Sequence, residues 1–247
     1  MKIQVYQDLH ELSEIADMWN ELVRVCASHV PFLRYEYLTT WWEFKGGGEW
    51  ETGKLYVITA QSETGDLTGI APLFLTQNLD GKKALMFLGS FEISDYLDVI
   101  VRPEDLDAFV EALLKHLTSS EAPAWEVLDF YNLLDDSPTL NALKDAAKNL
   151  DLHYTQETIQ PSPYVMLPDD WDTYLAGLKK KQRHEIRRKI RRAETAETGL
   201  RWYIVEDETT LDGEVDAFLQ LMSHDHLPDI PSCFRIDPVK IDTGWQT

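Results

Sequence analysis

The sequence predicts a mixed α/β fold, in which helices cover a sheet that combines antiparallel and parallel strands. Short apolar segments joined by turn signals fill residues 55–101, a pattern typical of antiparallel pairing. Beyond residue 103, amphipathic helical segments alternate with short apolar segments, which favours parallel neighbours. The chain has 247 residues, 44% of them hydrophobic, which is enough to bury a sizeable core.

The first part of the chain predicts one strand and two helices. Residues 2–7 alternate between polar and apolar side chains, as a strand does. Asp8 is placed to cap the helix that follows, because its carboxylate can accept hydrogen bonds from free backbone N–H groups. A second helix covers about residues 35–45, and the glycines at positions 46–48 end it. The apolar face of the first helix is formed by Leu12, Ile15, Met18, Trp19, Leu22 and Val23.

Turn signals divide the next stretch into four predicted strands. Residues 63–66 form a turn, and Asp80-Gly81 is typical of a tight hairpin. Gly69 and Pro72 indicate a bulge or a sheet edge. The four predicted strands cover residues 55–61, 67–77, 82–88 and 96–101.

The remainder of the first domain is predicted to alternate helices and strands. Pro103 opens a helix, because proline fits the first helical position and the acids after it suit the positive end of the helix dipole. Ser137-Pro138 begins another helix, which runs to about Leu150. The strands predicted here cover residues 125–130, 153–159 and 163–167, and the last two close the sheet.

The charge is strongly acidic but unevenly distributed. Its net value is −20, from 43 acidic and 23 basic residues, and such a surface repels DNA and anionic membranes unless cations are clustered. They are clustered in residues 179–192, where nine basic residues accompany a single acid. Two interpretations stay open for this segment: a solvated helix face neutralised by acidic neighbours, or a docking surface for phosphate groups.

A second part of the chain begins at Asp169. Asp169 or Asp170 can cap a short helix, and the basic helix then carries an apolar stripe at helical spacing until Gly199. A strand at residues 200–205 and an amphipathic helix at about 211–224 follow. The apolar stripe consists of Leu175, Leu178, Ile186, Ile190 and Ala193.

Two kinds of site are excluded by their spacing. Gly53 and Lys54 complete most of a phosphate-loop pattern, but Leu55 follows instead of Ser or Thr, and the segment runs from helix to strand. His224 and His226 do not share a helix face and no third ligand is near, so we predict no metal site.

The predicted location is the cytoplasm. Cys26 and Cys233 lie far apart without ligand-type spacing, as free thiols do in a reducing compartment. No apolar segment of the signal-peptide type follows the N-terminus, and no apolar segment reaches the length that spans a bilayer.

Three motifs, in their order and spacing, resemble the GNAT-like acetyltransferases related to the CelD proteins of cellulose biosynthesis and, more distantly, the Fem peptidoglycan aminoacyltransferases. The resemblance covers roughly residues 1–226. Its motifs are Pro31-Phe32 with residues 41–45 (WWEFK), residues 88–90 (LGS) leading into 94–98 (SDYLD), and residues 171–178 (WDTYLAGL) leading into 183–188 (RHEIRR).

The resemblance implies a bacterial protein built from two GNAT-like domains side by side, with the basic helix opening the second. Residues 1–168 would then form one complete GNAT-like domain. Residues 169–247 would hold the linking helix and the start of a second GNAT-like domain. Because residues 228–247 do not supply the missing half, we expect that second domain to be incomplete.

The implied function is transfer of an acetyl or other acyl group from acyl-CoA to an amine, in cell-envelope or polysaccharide metabolism. Acetyl-CoA or another acyl-CoA would be a co-substrate, with no bound cofactor, and the acceptor would be a small-molecule amine or a sugar-linked one. The glycine loop with which simple GNAT enzymes bind the CoA diphosphate is absent. Two alternatives stay open: Fem-type peptide bond formation that uses aminoacyl-tRNA, and a non-catalytic binding module. GNAT chemistry rests on positioning and backbone oxyanion donors, so no catalytic side chain is predicted.

The candidate substrate-binding residues in the first domain form two groups. Trp41 and Lys45 share the second helix, where two adjacent tryptophans cannot both face the core; one can line a groove with Lys45, and the alternative is a rim or interdomain contact. Asp95, Tyr96 and Asp98 form either an ordinary turn or a groove whose carboxylate orients an amine, as an acid in this region does in Fem enzymes.

The third group of candidates lies on the basic helix. An arginine near the start of this helix contacts the diphosphate of a nucleotide-linked precursor in Fem enzymes, and Arg187 or Arg188 is the nearest match in this sequence. Arg183 begins the same motif and completes the candidates.

Overall fold

A computed structural model describes residues 1–46, 50–89, 93–159, 161–195 and 203–223. The chain divides into two compact units, residues 1–162 and residues 163–247. The predicted domain boundary, between residues 168 and 169, therefore falls inside the second unit. Each unit is described by itself below.

The first unit is built on a six-stranded sheet of mixed direction, which confirms the predicted mixed α/β class. Four strands form a path in the order β1-β2-β3-β4, each antiparallel to the next. β6 then continues the sheet by pairing with β4 in parallel, and β5 pairs with the first half of β3. The strands are β1 (Lys2–Tyr6), β2 (Lys54–Gln61), β3 (Leu67–Gln77), β4 (Lys83–Phe87), β5 (Ile100–Val101) and β6 (Val127–Leu128).

β4 and β5 lie in line along the same side of β3. β4 pairs with the second half of β3, from Leu73 to Gln77, whereas β5 pairs with Gly69 and Ile70. The chain therefore leaves the sheet after Phe87 and returns to it at Ile100. The strand predicted at residues 96–101 is reduced to two residues, because residues 96–99 belong to this excursion.

Four helices belong to the first unit. The apolar face predicted for the first helix is buried at Leu12, Trp19, Leu22 and Val23, whereas Met18, which was predicted on the same face, is exposed. α1 (Ala16–Val25) continues from a 3₁₀ segment at Leu9–Ile15, whose first turn is capped by Asp8 as predicted. α2 is Tyr35–Glu43, α3 is Leu106–Leu117 after a 3₁₀ turn at Pro103–Asp105, and α4 is Pro138–Asn149.

The close approach of α3 to the sheet depends on a glycine in β3. A Cβ atom added at Gly69 would lie 2.4 Å from the ring of Phe109, which is fully buried. Any larger side chain at this position would therefore push the helix away from the strand. The irregularity that the sequence suggests near Gly69 is present, because the register of β2 against β3 shifts where Ala60 pairs with Gly69 and Gln61 pairs with Leu67. Gly69 is also a packing residue, which the sequence did not indicate.

The two strands predicted to close the sheet do not form. Residues 153–159 and 163–167 form no strand in the part of the chain that the structure describes. Tyr154 of the first segment and Leu152 just before it pack on the core, whereas residues 155–159 are exposed. The prediction of two closing strands is therefore wrong, because strand pairing depends on partners elsewhere in the chain and not on the local pattern alone.

The second unit consists of three helices in its described residues. α5 (Trp171–Gly177) is capped by Asp170, whose carboxylate accepts a hydrogen bond from the Thr173 N–H. α6 is Lys180–Glu194, and α7 is Leu211–Ser223 after a 3₁₀ turn at Glu208–Thr210. α6 ends before Gly199, which lies outside the described residues, as do residues 200–202 of the predicted strand; residues 203–205 form no strand.

Candidate functional site

The excursion between β4 and β5 meets the loop after β6 at one edge of the sheet. β4 and β6 are parallel neighbours, so their carboxyl ends lie at the same edge. In open sheets, crevices beside the carboxyl ends of neighbouring parallel strands are frequent ligand sites. The motif residues Asp95, Tyr96 and Asp98 all lie on this excursion.

Asp98 fastens the excursion to two other segments. Its side chain is fully buried, and one carboxylate oxygen accepts hydrogen bonds from the hydroxyls of Ser137, at 2.6 Å, and Ser28, at 3.0 Å. The other oxygen accepts from the Val99 N–H at 2.8 Å. Ser28 follows α1, and Ser137 is the N-cap of α4. The carboxylate therefore joins three segments that are distant in sequence.

Burial raises the pKa of Asp98, because a charged carboxylate loses its hydration in the interior. The hydrogen bonds from Ser137, Val99 and Ser28 act in the opposite direction, since they favour the ionised form. A group so enclosed has no access to a substrate. Asp98 therefore anchors the loop from the interior and does not contact a substrate itself.

A second anchor holds the excursion closer to its start. The Tyr37 hydroxyl lies 2.8 Å from the Ser94 hydroxyl and donates to the Ile93 carbonyl at 2.7 Å. Asn132, on the loop after β6, donates from its amide nitrogen to the Ser94 carbonyl at 2.6 Å. Ser94 is buried, so the loop is fixed from both α2 and the neighbouring strand connection.

Asp95 and Tyr96 form the outer part of the same loop. Asp95 is exposed, and Tyr96 is half-buried with a φ of +59°, in the left-handed region that side chains rarely adopt. Asn132 opposite has a φ of +63°. Such backbone conformations persist where surrounding contacts enforce them, and they concentrate at functional sites. The Tyr96 hydroxyl lies 2.8 Å from the Ser162 hydroxyl. The arrangement holds an exposed carboxylate on a rigid support.

Cys26 lies beside this cluster but is not available as a nucleophile. Burial, together with the nearby Asp98, raises the pKa of its thiol to about 12. The thiol is in contact with the Val23 and Ser28 carbonyls, at 3.3 and 3.4 Å. Because the thiolate is the reactive form, this cysteine behaves as a small core residue.

The tryptophan pair of α2 divides between core and surface. Trp41 is buried against Phe74, with ring centroids 5.6 Å apart, whereas Trp42 is half-buried. Lys45 lies beyond the helix end with a φ of +50°, and its ammonium sits 3.3 Å above the Trp42 ring and donates to the Trp42 carbonyl. Lys45 is thus paired with Trp42. Trp41, which the sequence analysis named as a candidate, belongs to the core.

The loss of hydration around the Lys45 ammonium lowers its pKa. The left-handed residue that ends α2 is Lys45 itself, followed by Gly46 at a φ of +61°. The N–H groups of these two residues donate to the Trp42 and Trp41 carbonyls, as in a Schellman motif. Glycine was predicted to end this helix, but the first left-handed position is occupied by the lysine.

The candidate arginines of α6 make different contacts. Arg183 donates to the Ala176 carbonyl at 2.9 Å, at the end of α5, and so joins the two helices. Arg188 forms a bidentate ion pair with Glu185, with N–O distances of 2.7 and 3.0 Å. Arg187 is exposed and makes no ion pair among the described residues. The structure therefore brings these arginines onto one helix but leaves only Arg187 uncommitted.

The cations of α6 form a continuous face. With 3.6 residues per turn, Lys181, Arg188 and Arg192 lie on the side opposite Ile186 and Ile190, and Lys180 and Arg191 lie beside them. Part of this face borders an open groove of about 620 Å³. The groove is lined by Lys180, Lys181, His184, Glu185 and Arg188.

No family model and no curated protein sequence matches this chain. The resemblance to GNAT-like transferases therefore rests on the sequence motifs alone. Within the described ranges, no helix is long and apolar enough to cross a membrane, and no three metal-ligating side chains gather into a site. His224 and His226 lie outside those ranges, as does Cys233.

Sequence reasoning missed the residues that build the support of the loop. Ser28 and Asn132 carry no motif that marks them, and Ser94, although it opens the motif at 94–98, was not a candidate site residue, because the partners of these residues come from distant segments. Ser137 was predicted to begin a helix, and it does cap α4, because its hydroxyl accepts a hydrogen bond from the Thr139 N–H. Its second role, as a donor to Asp98, had no signal in the local sequence.

Proposed function

We propose that this protein is an N-acyltransferase of the GNAT-like kind that moves an acyl group from acyl-CoA to an amine acceptor. The observation that carries the proposal is the exposed Asp95 on a loop fixed from behind by the buried Asp98. The loop lies at the carboxyl ends of two parallel strands, where substrates often bind. The motif resemblance supports the reaction class.

In this proposal Asp95 accepts a hydrogen bond from the acceptor amine and orients its lone pair. The amine nitrogen attacks the thioester carbonyl, the C–N bond forms, and the C–S bond breaks. The amine proton passes to solvent or to the carboxylate, and the CoA thiolate takes up a proton to leave as the free thiol. Most of the rate gain in such a step comes from positioning and from backbone donors to the oxyanion.

The cationic face of α6 is proposed to bind phosphate groups. Charge-assisted hydrogen bonds from lysine and arginine to phosphate are strong. Residues 179–192, which include most of α6, hold nine basic residues and one acid, unlike the rest of the chain.

Calorimetric titration of the full chain with acetyl-CoA tests the donor, with ADP as a control for binding through phosphates alone. Saturable binding of acetyl-CoA is expected. An assay of CoA release with a panel of amines then tests Asp95. The Asp95→Asn variant is expected to lose about 10²–10³ in kcat/KM. Asp136→Asn is the matched control, because Asp136 is an exposed aspartate on the neighbouring loop.

Absence of acetyl-CoA binding by a demonstrably folded chain would overturn the acyl-CoA proposal. In that case the aminoacyl-tRNA alternative predicts RNA binding that falls steeply with salt. The binding-module alternative predicts a stable fold that binds neither donor.

A further inference from the structure

Four consecutive apolar side chains are exposed at the start of the second unit. Residues 164–167 are Tyr-Val-Met-Leu, and their exposed fractions lie between 71% and 83%. They form no strand and pack on no core residue in the described part of the chain. Apolar side chains that stand together on a surface usually mark a site of interaction.

An aromatic pair follows this segment directly. Trp171 and Tyr174 of α5 stack with their ring centroids 5.4 Å apart, and Trp171 is 54% exposed. Tryptophan and tyrosine combine an apolar ring with a polar group, so they favour boundaries between an apolar phase and water.

Cations complete the segment. Residues 163–192 hold nine basic and four acidic residues, and the cationic face of α6 is exposed to solvent. A small phosphorylated ligand would explain the cations but not residues 164–167. An ordinary protein partner would explain the apolar side chains but not the cations.

We infer that residues 163–192 bind the surface of a membrane that contains anionic phospholipid. Residues 164–167 and Trp171 would enter the boundary between head groups and acyl chains, and the α6 cations would meet the lipid phosphates. Apolar insertion and attraction of basic residues to anionic lipid are the two contributions that hold proteins at such surfaces. The inference rests on the proposed phosphate-binding role of α6 and names the source of the phosphate.

α7 provides an internal comparison. Its side chains Phe218, Leu219 and Met222 are also exposed, but residues 203–223 contain six acids and no basic residue. An anionic membrane repels such a segment. These two exposed apolar regions therefore differ in charge, and of the two, residues 163–192 match an anionic lipid surface.

Co-sedimentation of the full chain with vesicles tests the inference. One set of vesicles is phosphatidylcholine alone, and the other contains about one quarter phosphatidylglycerol. Binding is expected only to the second set, and it should weaken as salt is added, because salt screens the cations.

Two variants separate the contributions. Lys180→Glu/Lys181→Glu is expected to lower the vesicle partition about 100-fold. Val165→Ser/Met166→Ser/Leu167→Ser is expected to lower it at least about tenfold. The matched controls are Lys144→Glu/Lys148→Glu, on the exposed face of α4, and Phe218→Ser/Leu219→Ser/Met222→Ser on α7; both should bind as the unaltered chain does.

Several results would overturn the inference. One is a chain that stays in the supernatant with both sets of vesicles. Another is a 165–167 variant that binds like the unaltered protein, because the surface would then recognise phosphate by charge alone. A third is loss of binding in the α7 control. Circular dichroism confirms that each variant is folded. Retained acetyl-CoA binding by the same preparation would show that the membrane inference failed while the proposed acyl transfer did not.

Discussion

The carboxylate of Asp98 accepts a 2.6 Å hydrogen bond from the hydroxyl of Ser137, 39 residues further along the chain. The same hydroxyl caps α4 by accepting from the Thr139 N–H. One side chain therefore starts a helix and fixes the loop that carries Asp95. The candidate acceptor site depends on this pair, because the described residues of the loop between β4 and β5, at 88–89 and 93–99, belong to no strand.

Removal of the Asp98 carboxylate should destabilise the first unit. Asp98→Ala leaves the Ser28 and Ser137 hydroxyls and the Val99 N–H without their buried acceptor, and it opens a cavity. We expect a loss of about 2–4 kcal/mol in the free energy of unfolding. Urea denaturation followed by tryptophan fluorescence measures it. Asp95→Ala, at an exposed position of the same loop, should change stability by less than about 0.5 kcal/mol, and an equal loss in both variants would contradict the anchoring role.

The raised pKa of Asp98 gives stability a defined dependence on pH. Its ordinary value is 3.8, and burial raises the pKa in the folded protein, so the folded state holds the proton more tightly than the unfolded chain. The stabilisation from this proton is complete below the unfolded pKa and is lost as the pH rises through the folded pKa. From about pH 4 upward, the unfolding free energy of the unaltered protein should therefore fall relative to that of Asp98→Asn. Urea melts of both proteins between pH 4 and pH 8 measure it, and a shift in the opposite direction would mean that the hydrogen bonds outweigh the burial.

The packing of α3 on the sheet should be sensitive to a single methyl group at Gly69. The added Cβ would lie 2.4 Å from the Phe109 ring, so Gly69→Ala should lower stability by about 3 kcal/mol. In a Phe109→Leu background, the loss of stability caused by Gly69→Ala should be smaller by at least about 1 kcal/mol, because the aromatic ring that the added methyl group meets is gone. Chemical denaturation of the four proteins gives this coupling. Additive losses would show that the two positions do not touch.

Two glycines with positive φ separate backbone strain from steric conflict. Gly46 has a φ of +61°, and a Cβ there would lie 2.8 Å from the Trp41 ring. Gly81 has a φ of +74° in a hairpin turn, with no atom within 4 Å of the added Cβ. Gly81→Ala should lose about 1 kcal/mol from strain alone, and Gly46→Ala about 1–3 kcal/mol more. Thermal melts compare the two variants, and equal losses would place Trp41 further from the turn than the structure has it.

Much of the architecture is visible in the local sequence. The apolar period of α1, the caps at Asp8, Ser137 and Asp170, and the hairpin at Asp80-Gly81 all follow from interactions between residues close in the chain. The basic character of α6 is likewise a property of its sequence. These features need no knowledge of what packs against them, which is why they could be predicted.

The tertiary structure decided what each candidate residue does. Asp95 and Asp98 look alike in sequence, but one is exposed and the other is enclosed by hydroxyls from Ser28 and Ser137. Trp41 and Trp42 are adjacent, but only Trp42 meets Lys45. The segments at 153–159 and 163–167 have the pattern of strands without a strand to pair with. Burial, hydrogen-bond partners and ladder partners all come from residues far away in the chain, so a local pattern determines which structure a segment can adopt, and long-range packing determines where its side chains lie.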